Sequence, residues 1–194
     1  MGLRIATEND LDQILSIYAP YVKNTTVSFE YEPPTKEEFR ARFDEITAQF
    51  PWLVWEENGI IAGYTYACAP FSRSAYRWCA EPSIYLRPES QSKGIGRKLY
   101  TALETCLRMQ GYRVSYAIIT SENTASLNFH KAMGYSLLAE FSRCAYKHNK
   151  CLGIIWMEKR LNSDEIPSNM PVSFSSFVEN SKNFTEILDN LSLS

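Results

Sequence analysis

Gln91-Ser92-Lys93-Gly94-Ile95-Gly96 is a short loop with two glycines that runs straight into a helical pattern from Gly94 to about Gly111. Glycines at alternate positions let the backbone turn tightly and approach a ligand, because no Cβ stands in the way. The helix that follows aims its unpaired N–H groups and the positive end of its dipole back at the loop. An anionic group such as a phosphate or pyrophosphate fits that seat. Before the loop lies an apolar strand, Ala80 to Leu86, closed by Arg87-Pro88-Glu89. Strand, glycine loop and helix together predict nucleotide- or cofactor-binding architecture, against the plainer reading of a surface turn before a helix.

Two familiar phosphate loops do not fit. A Walker A loop needs a lysine and a hydroxyl after its last glycine, whereas Arg97-Lys98-Leu99 follows Gly96. The dinucleotide fingerprint needs a third glycine in an early βαβ unit; here that position is Leu99 and the loop lies mid-chain.

Outward from the loop, the chain punctuates itself clearly. Leu3 to Ala6 reads as a first strand, and Thr7 with Asp10 starts a helix whose apolar face is Leu11, Ile14, Leu15, Tyr18 and Val22. A loop over 24–34 carries Thr25-Thr26 and Phe29-Glu30. Thr35 with Glu38 then opens a second helix lined by Phe39, Phe43 and Ile46. Trp52 to Glu56 and Ile60 to Ala67 form a hairpin over Asn58-Gly59. After the glycine loop, Ile95, Leu99, Leu103 and Leu107 make one helical stripe. Val114 to Thr120 is a strand, Asn123 to Met133 a helix ended by Gly134, and Ser136 to Tyr146 and Leu152 to Arg160 are closing strands. The order β-α-α-β-β-β-α-β-α-β-β predicts an α/β (α+β) domain over residues 1–161, around a mixed, mostly antiparallel sheet. Residues 162–194 are rich in Ser and Asn, and a mobile or loosely packed tail is expected. Phe184, Ile187, Leu188 and Leu191 leave room for one short docking helix.

The 194 residues suffice for one domain with a real core. A net charge of −2, with no basic stripe interleaved with aromatics, argues against nucleic acid as a partner. No apolar run has the length of a membrane span, and Met1-Gly2-Leu3-Arg4 reads as the start of a strand rather than a signal peptide, so a cytoplasmic protein is expected. Five cysteines without C-x-x-C spacing and only two histidines predict neither a disulfide frame nor a metal centre.

The pattern Gln-x-x-Gly-x-Gly after a strand resembles the signature of the GNAT acetyltransferase superfamily. Within it, the chain is similar to the phosphinothricin and methionine sulfone or sulfoximine acetyltransferases. The resemblance covers positions 3 to 160. It is carried by Thr25-Thr26-Val27-Ser28-Phe29-Glu30, Pro51-Trp52-Leu53-Val54, Gly63-Tyr64-x-Tyr66-Ala67, Ala75-Tyr76-x-Trp78-x-x-Glu81-x-Ser83-Ile84-Tyr85, Asn123-x-x-Ser126-x-x-x-His130 and Tyr146-Lys147-His148. It departs where the group has Trp and Asp and this chain has Cys151 and Gly153.

The resemblance implies acetyl-CoA as co-substrate. Its pantetheine would lie along the backbone of Ile84, Tyr85 and Leu86, and its pyrophosphate on Ser92, Lys93, Gly94, Ile95, Gly96 and Arg97. Asn123 would bond the pantetheine amide or serve as a helix cap. Lys93, Arg97 and Lys98 also suit a solvated helix start. Glu81, a carboxylate in an apolar strand, suits a general base or a structural ion pair. His130 would protonate the leaving thiolate or be structural, and His148 is a further candidate base. Phe29, Glu30, Tyr31, Phe71, Ser72, Arg73, Tyr76, Trp78, Glu81, Pro82 and Ser83 would build the acceptor pocket, with Arg73 on an acceptor carboxylate or simply at the surface. The expected partners are a small amine or amino-acid analogue and a second copy of the chain. Acetylation of a protein or peptide, and an idle CoA-binding module, remain as alternatives.

Overall fold

A computed structural model of the chain describes residues 2–163, 165–181 and 184–193. Its strands are β1 (Gly2–Ile5), β2 (Trp52–Glu57), β3 (Ile60–Cys68), β4 (Cys79–Leu86), β5 (Val114–Thr120), β6 (Ser136–Lys147) and β7 (Lys150–Arg160). The helices are α1 (Leu11–Asn24), α2 (Lys36–Thr47), α3 (Ile95–Gln110), α4 (Thr124–Ala132), α5 (Phe174–Asn180) and α6 (Phe184–Leu193). The strands form one sheet in the order β1-β2-β3-β4-β5-β7-β6. Every neighbouring pair is antiparallel except β4 with β5. The α/β expectation and its element order are met.

Period-two alternation divides the strands between two cores. On one face Trp52, Val54 and Tyr64 meet Ile14, Ile17 and Tyr18 of α1 and Phe39 and Phe43 of α2. On the other, Leu53, Ala62 and Ala80 meet the predicted stripe of α3, Ile95, Leu99, Leu103 and Leu107. A third cluster, including Tyr100, Ala117, Ile119, Tyr135 and Met157, carries that second face on towards α4.

Local signals fixed the boundaries. The Thr35 hydroxyl accepts from the Glu38 N–H at 3.2 Å, and the Glu38 carboxylate accepts from the Thr35 N–H at 2.8 Å. Replacing Thr35 by Ala should therefore cost about 1 kcal/mol. That would appear as a lower urea midpoint with an unchanged slope, and an unmoved midpoint would refute the cap's contribution. The turn between β2 and β3 places Asn58 and Gly59 at positive φ, as a two-residue hairpin turn requires.

The tail departs from the looser expectation. Besides α6, an unforeseen helix α5 forms, with Ser173 accepting from the Ser176 N–H at its start. Phe174, Phe177, Phe184 and Leu188 are buried in the same cluster as α3 and β1. The Ser192 hydroxyl accepts from the Leu3 N–H at 2.9 Å, and Lys98 donates to the Ser192 carbonyl at 2.7 Å. These four side chains, one turn apart on each helix, dock with Val178 and Leu191 packed beside them, although the segment's composition reads as polar.

Candidate active site

The parallel pairing of β4 with β5 covers only Cys79 with Val114 and Ala80 with Ser115. Pro82 explains why it stops. Arg87 donates its N–H to Ala62 on β3, so by alternation the odd positions of β4 bond towards β3 and the even ones towards β5. The next even position after Ala80 is proline, which has no N–H to donate. Beyond it the strands diverge around a cleft of about 470 Å³. Its walls include Ser83 to Leu86 on one strand and Ala117 to Thr120 on the other. Tyr21 and Val27 approach from the α1 side, and Gly94, Gly96, Phe129 and His130 from the α3/α4 side, so the split runs through the sheet.

The same alternation turns the polar backbone of Ile84 and Leu86, not that of Tyr85, towards this gap. The Leu86 carbonyl accepts from the Tyr21 hydroxyl at 2.6 Å, and that hydroxyl accepts from the Gln91 amide at 3.1 Å. Gln91 thus ties the glycine loop to the strand beside it. Ser92 and Gly94 both lie at positive φ, 60° and 80°. Gly94 is the cap of α3, and a Cβ there would point into open space, not into protein. At Gly96 a Cβ would sit 3.3 Å from Leu86 Cδ1 and 3.7 Å from Phe129. Loop, helix start and an unpaired strand edge suit a cofactor bearing both a pyrophosphate and an amide-rich arm. The cleft lining includes Ser92, Gly94, Gly96 and Arg97, whereas the Ile95 side chain is buried in the core and Lys93 stands outside. Asn123 accepts from the Ser126 N–H through Oδ1 at 3.1 Å, which leaves its NH₂ group for the cleft it lines. Capping and ligand contact are compatible there.

Glu81 shares a sheet face with Ser83 and Tyr85 and lies opposite Cys68 on β3. Two residues of strand, roughly 7 Å, separate it from the cleft-lining Ser83. Burial raises the Glu81 pKa above its ordinary value. Burial, and then the neighbouring Glu81, push the Cys68 thiol up to about 12. The carboxyl therefore has a protonated, uncharged neighbour. Around this face stands an aromatic wall: Phe71 meets Tyr76 at 4.7 Å, Trp156 at 5.8 Å and Tyr116 at 6.0 Å between ring centres. Tyr116 and Trp156 were not foreseen. Their sheet-face alternation could have flagged them, but only with the β5–β7 register in hand.

Several predicted residues take other places. Trp78 is not in the wall, because its indole N–H donates to the Asn169 carbonyl of the tail at 3.2 Å. Glu30 is held by Arg42 at 2.7 Å. Phe29, Ser72, Arg73 and Tyr76 are exposed, while Pro82 and Ser83 do line the cleft. His130 lines it too, buried, with Nδ1 2.8 Å from the Ser126 carbonyl, which assigns the proton to Nδ1. Burial lowers its pKa, which favours the neutral ring. His148 lies exposed at the tip of the β6–β7 hairpin with φ 49°, next to Asn149 at 58°. Its position answers to the turn, outside the cleft. Its neighbour Lys147 is the buried one, donating to the carbonyls of Val22 and Ser28 at 2.7 and 2.6 Å and so pinning the 25–35 loop. At Gly153 a Cβ would fall 2.8 Å from the Phe141 carbonyl, beside the irregular pairing of β6 and β7. No carboxylate could replace it without moving β6.

The acetyltransferase (GNAT) domain family is matched over residues 3–156. The chain is 34% identical to a phosphinothricin N-acetyltransferase of Streptomyces viridochromogenes, over 75% of this chain and 80% of that protein. It is 32% identical to the L-amino acid N-acyltransferase MnaT of Escherichia coli, over 86% of this chain and 98% of that one. Among solved structures, a phosphinothricin acetyltransferase of Sinorhizobium meliloti in complex with AcCoA superposes with a TM-score of 0.81 at 33% identity, covering 88% of this chain and 98% of that chain. YncA of Salmonella typhimurium with acetyl-CoA gives 0.83 at 30%, covering 87% and 98%. With the split sheet and the glycine loop already in place, these likenesses settle the matter: the chain belongs to the GNAT acetyltransferase family and is an acetyl-CoA-dependent N-acetyltransferase.

Proposed function

We propose that the protein acetylates the α-amine of a small amino-acid-like acceptor of the phosphinothricin, methionine sulfoximine or methionine sulfone type. The observation that carries this reading is Glu81, a half-buried carboxylate with a raised pKa on the strand whose far end borders the cofactor cleft. Acetyl-CoA supplies the activated acetyl thioester. Glu81 takes a proton from the acceptor ammonium, directly or through a water, and the free amine attacks. The N–H groups of Ile84 and Leu86 that face the gap stabilise the developing negative oxygen as fixed dipoles. Arg73, exposed on the loop that carries Phe71, forks the acceptor carboxylate. The departing sulfur takes its proton from His130 when that ring is charged and otherwise leaves as the thiolate and is protonated by water.

Support for the acceptor class comes from the relatives, which include methionine sulfoximine and methionine sulfone acetyltransferases at 30% and 32% identity. The test is thiol release from acetyl-CoA with a panel of amino-acid analogues and peptides. Turnover of the small amines is expected. Turnover confined to peptides, or none at all with acetyl-CoA bound, would reject the proposal. Five free cysteines accord with a reducing, cytoplasmic setting.

The enzyme is further read as a homodimer. β6 ends the sheet with Leu137, Leu138, Phe141 and Tyr146 exposed along it, an apolar surface of the kind that attracts a partner. Light scattering at tens of micromolar, an order-of-magnitude choice suited to weak dimers, should return twice the chain mass. A single-chain mass would reject pairing.

A further inference from the structure

We propose that the C-terminal segment is a strap that positions the acceptor-side loop, and that it sets how tightly the acceptor is held. This rests on the acceptor lying beside Glu81 and Phe71, as proposed above. The family match ends at residue 156, before the strap begins.

It is anchored on both sides of its middle. At its start, the Asn162 amide donates to the carbonyls of Arg108 and Tyr112 at 3.1 and 2.6 Å, and Arg113 donates to the Ser163 carbonyl at 3.0 Å. Further on, Val172 and Gln110 exchange hydrogen bonds, N–H to the Gln110 carbonyl at 2.9 Å and Gln110 amide to the Val172 carbonyl at 2.8 Å. Gln110 also donates to the Gln49 carbonyl at 3.0 Å, and is itself 1% exposed. The buried aromatics of α5 and α6 complete that anchor.

Between the anchors the strap reaches the end of the β3–β4 loop. The Asn169 carbonyl takes the Trp78 indole N–H at 3.2 Å, and Met170 Sδ lies 3.2 Å from an Arg77 guanidinium nitrogen. The Trp78 backbone is itself a junction: its carbonyl accepts from the N–H groups of Arg113 and Val114 at 2.8 and 3.3 Å. Trp78 therefore sits at the closed end of the short β4–β5 pairing, and it ends the loop that carries Phe71, Arg73 and Tyr76. Holding its indole fixes the angle at which that loop leaves the sheet. The glycine loop lies at the other end of β4, so acetyl-CoA should be indifferent to the strap.

The test uses the full chain with Trp78→Phe, which removes the indole donor and keeps a ring, and Gln110→Ala, which loosens the strap from its remote anchor. With phosphinothricin as the probe, both variants should raise the acceptor KM roughly 3- to 10-fold, the range set by losing one net hydrogen bond, and leave the acetyl-CoA KM unchanged. Amide hydrogen exchange over 69–78 should quicken in both, a readout that needs no substrate. An effect of Trp78→Phe alone would overturn the proposal, because Trp78 would then act without the strap. Unchanged exchange in folded Gln110→Ala, or equal rises in both KM values, would overturn it too. If the parent enzyme acetylates no small amine, the functional reading fails by itself, and the exchange measurement still decides whether the strap holds the loop.

Discussion

Glu81→Gln lowers kcat/KM by roughly 10²–10⁴-fold, the usual worth of a general base, with acetyl-CoA affinity unchanged. The amide keeps the shape and polarity of the carboxylate but cannot accept the ammonium proton. Because burial raises the Glu81 pKa, the base is ionised only above that raised value, and activity falls as the pH drops through it. The acidic limb of kcat/KM should therefore lie above the ordinary carboxyl value of 4.5 and vanish or move in the variant. Stability has the matching sign. A carboxyl whose folded pKa is raised favours the folded state most at low pH, and that contribution fades as the pH rises through the folded value. If Glu81→Gln keeps full activity while His148→Ala loses it, the base has been misassigned.

Gly94→Val abolishes measurable acetyl-CoA binding with the fold kept, as does Gly96→Val. The reasons differ. At φ 80° Gly94 is in a conformation that a β-branched residue strongly resists, so the loop must change shape and its amides lose their aim. At position 96 the extra methyls would press on Leu86, already 3.3 Å from an added Cβ, and on the wall of the cleft. Calorimetry reports the loss, and circular dichroism checks the fold. Unchanged affinity in both variants would refute the loop's role.

Elements and their order were readable because each carried a local signal. Examples are Thr35 with Glu38, Asn58-Gly59, and the four-residue stripe of α3. The cofactor strand and loop were legible for the same reason. The far wall of the cleft, Ala117 to Thr120, was not, since nothing in β5 announces that its partner strand departs. Pro82 was the available hint, a residue without an N–H in the one parallel pairing. Tyr116 and Trp156 depend on register between strands about forty residues apart, which no local pattern encodes. At His148 a turn demanding positive φ and a motif shared with the resembling group fall on the same residue, so the sequence alone does not separate the two roles.

The Ser192 hydroxyl on the Leu3 N–H has a consequence for assembly. A sheet with two bare ends can join head to tail, one copy's first strand against the next copy's last, and such a contact repeats without limit. Here α6 lies against β1 and takes up a hydrogen-bonding group at that end, while β6 at the other end is interrupted by two bulges and takes the Tyr31 hydroxyl on its Tyr146 carbonyl. The β1 end is thereby less open to an incoming strand, which disfavours the head-to-tail contact. A contact of β6 with β6 would be related to itself by a twofold rotation and close at two subunits, so covering the β1 end works against open-ended growth without barring such a pair.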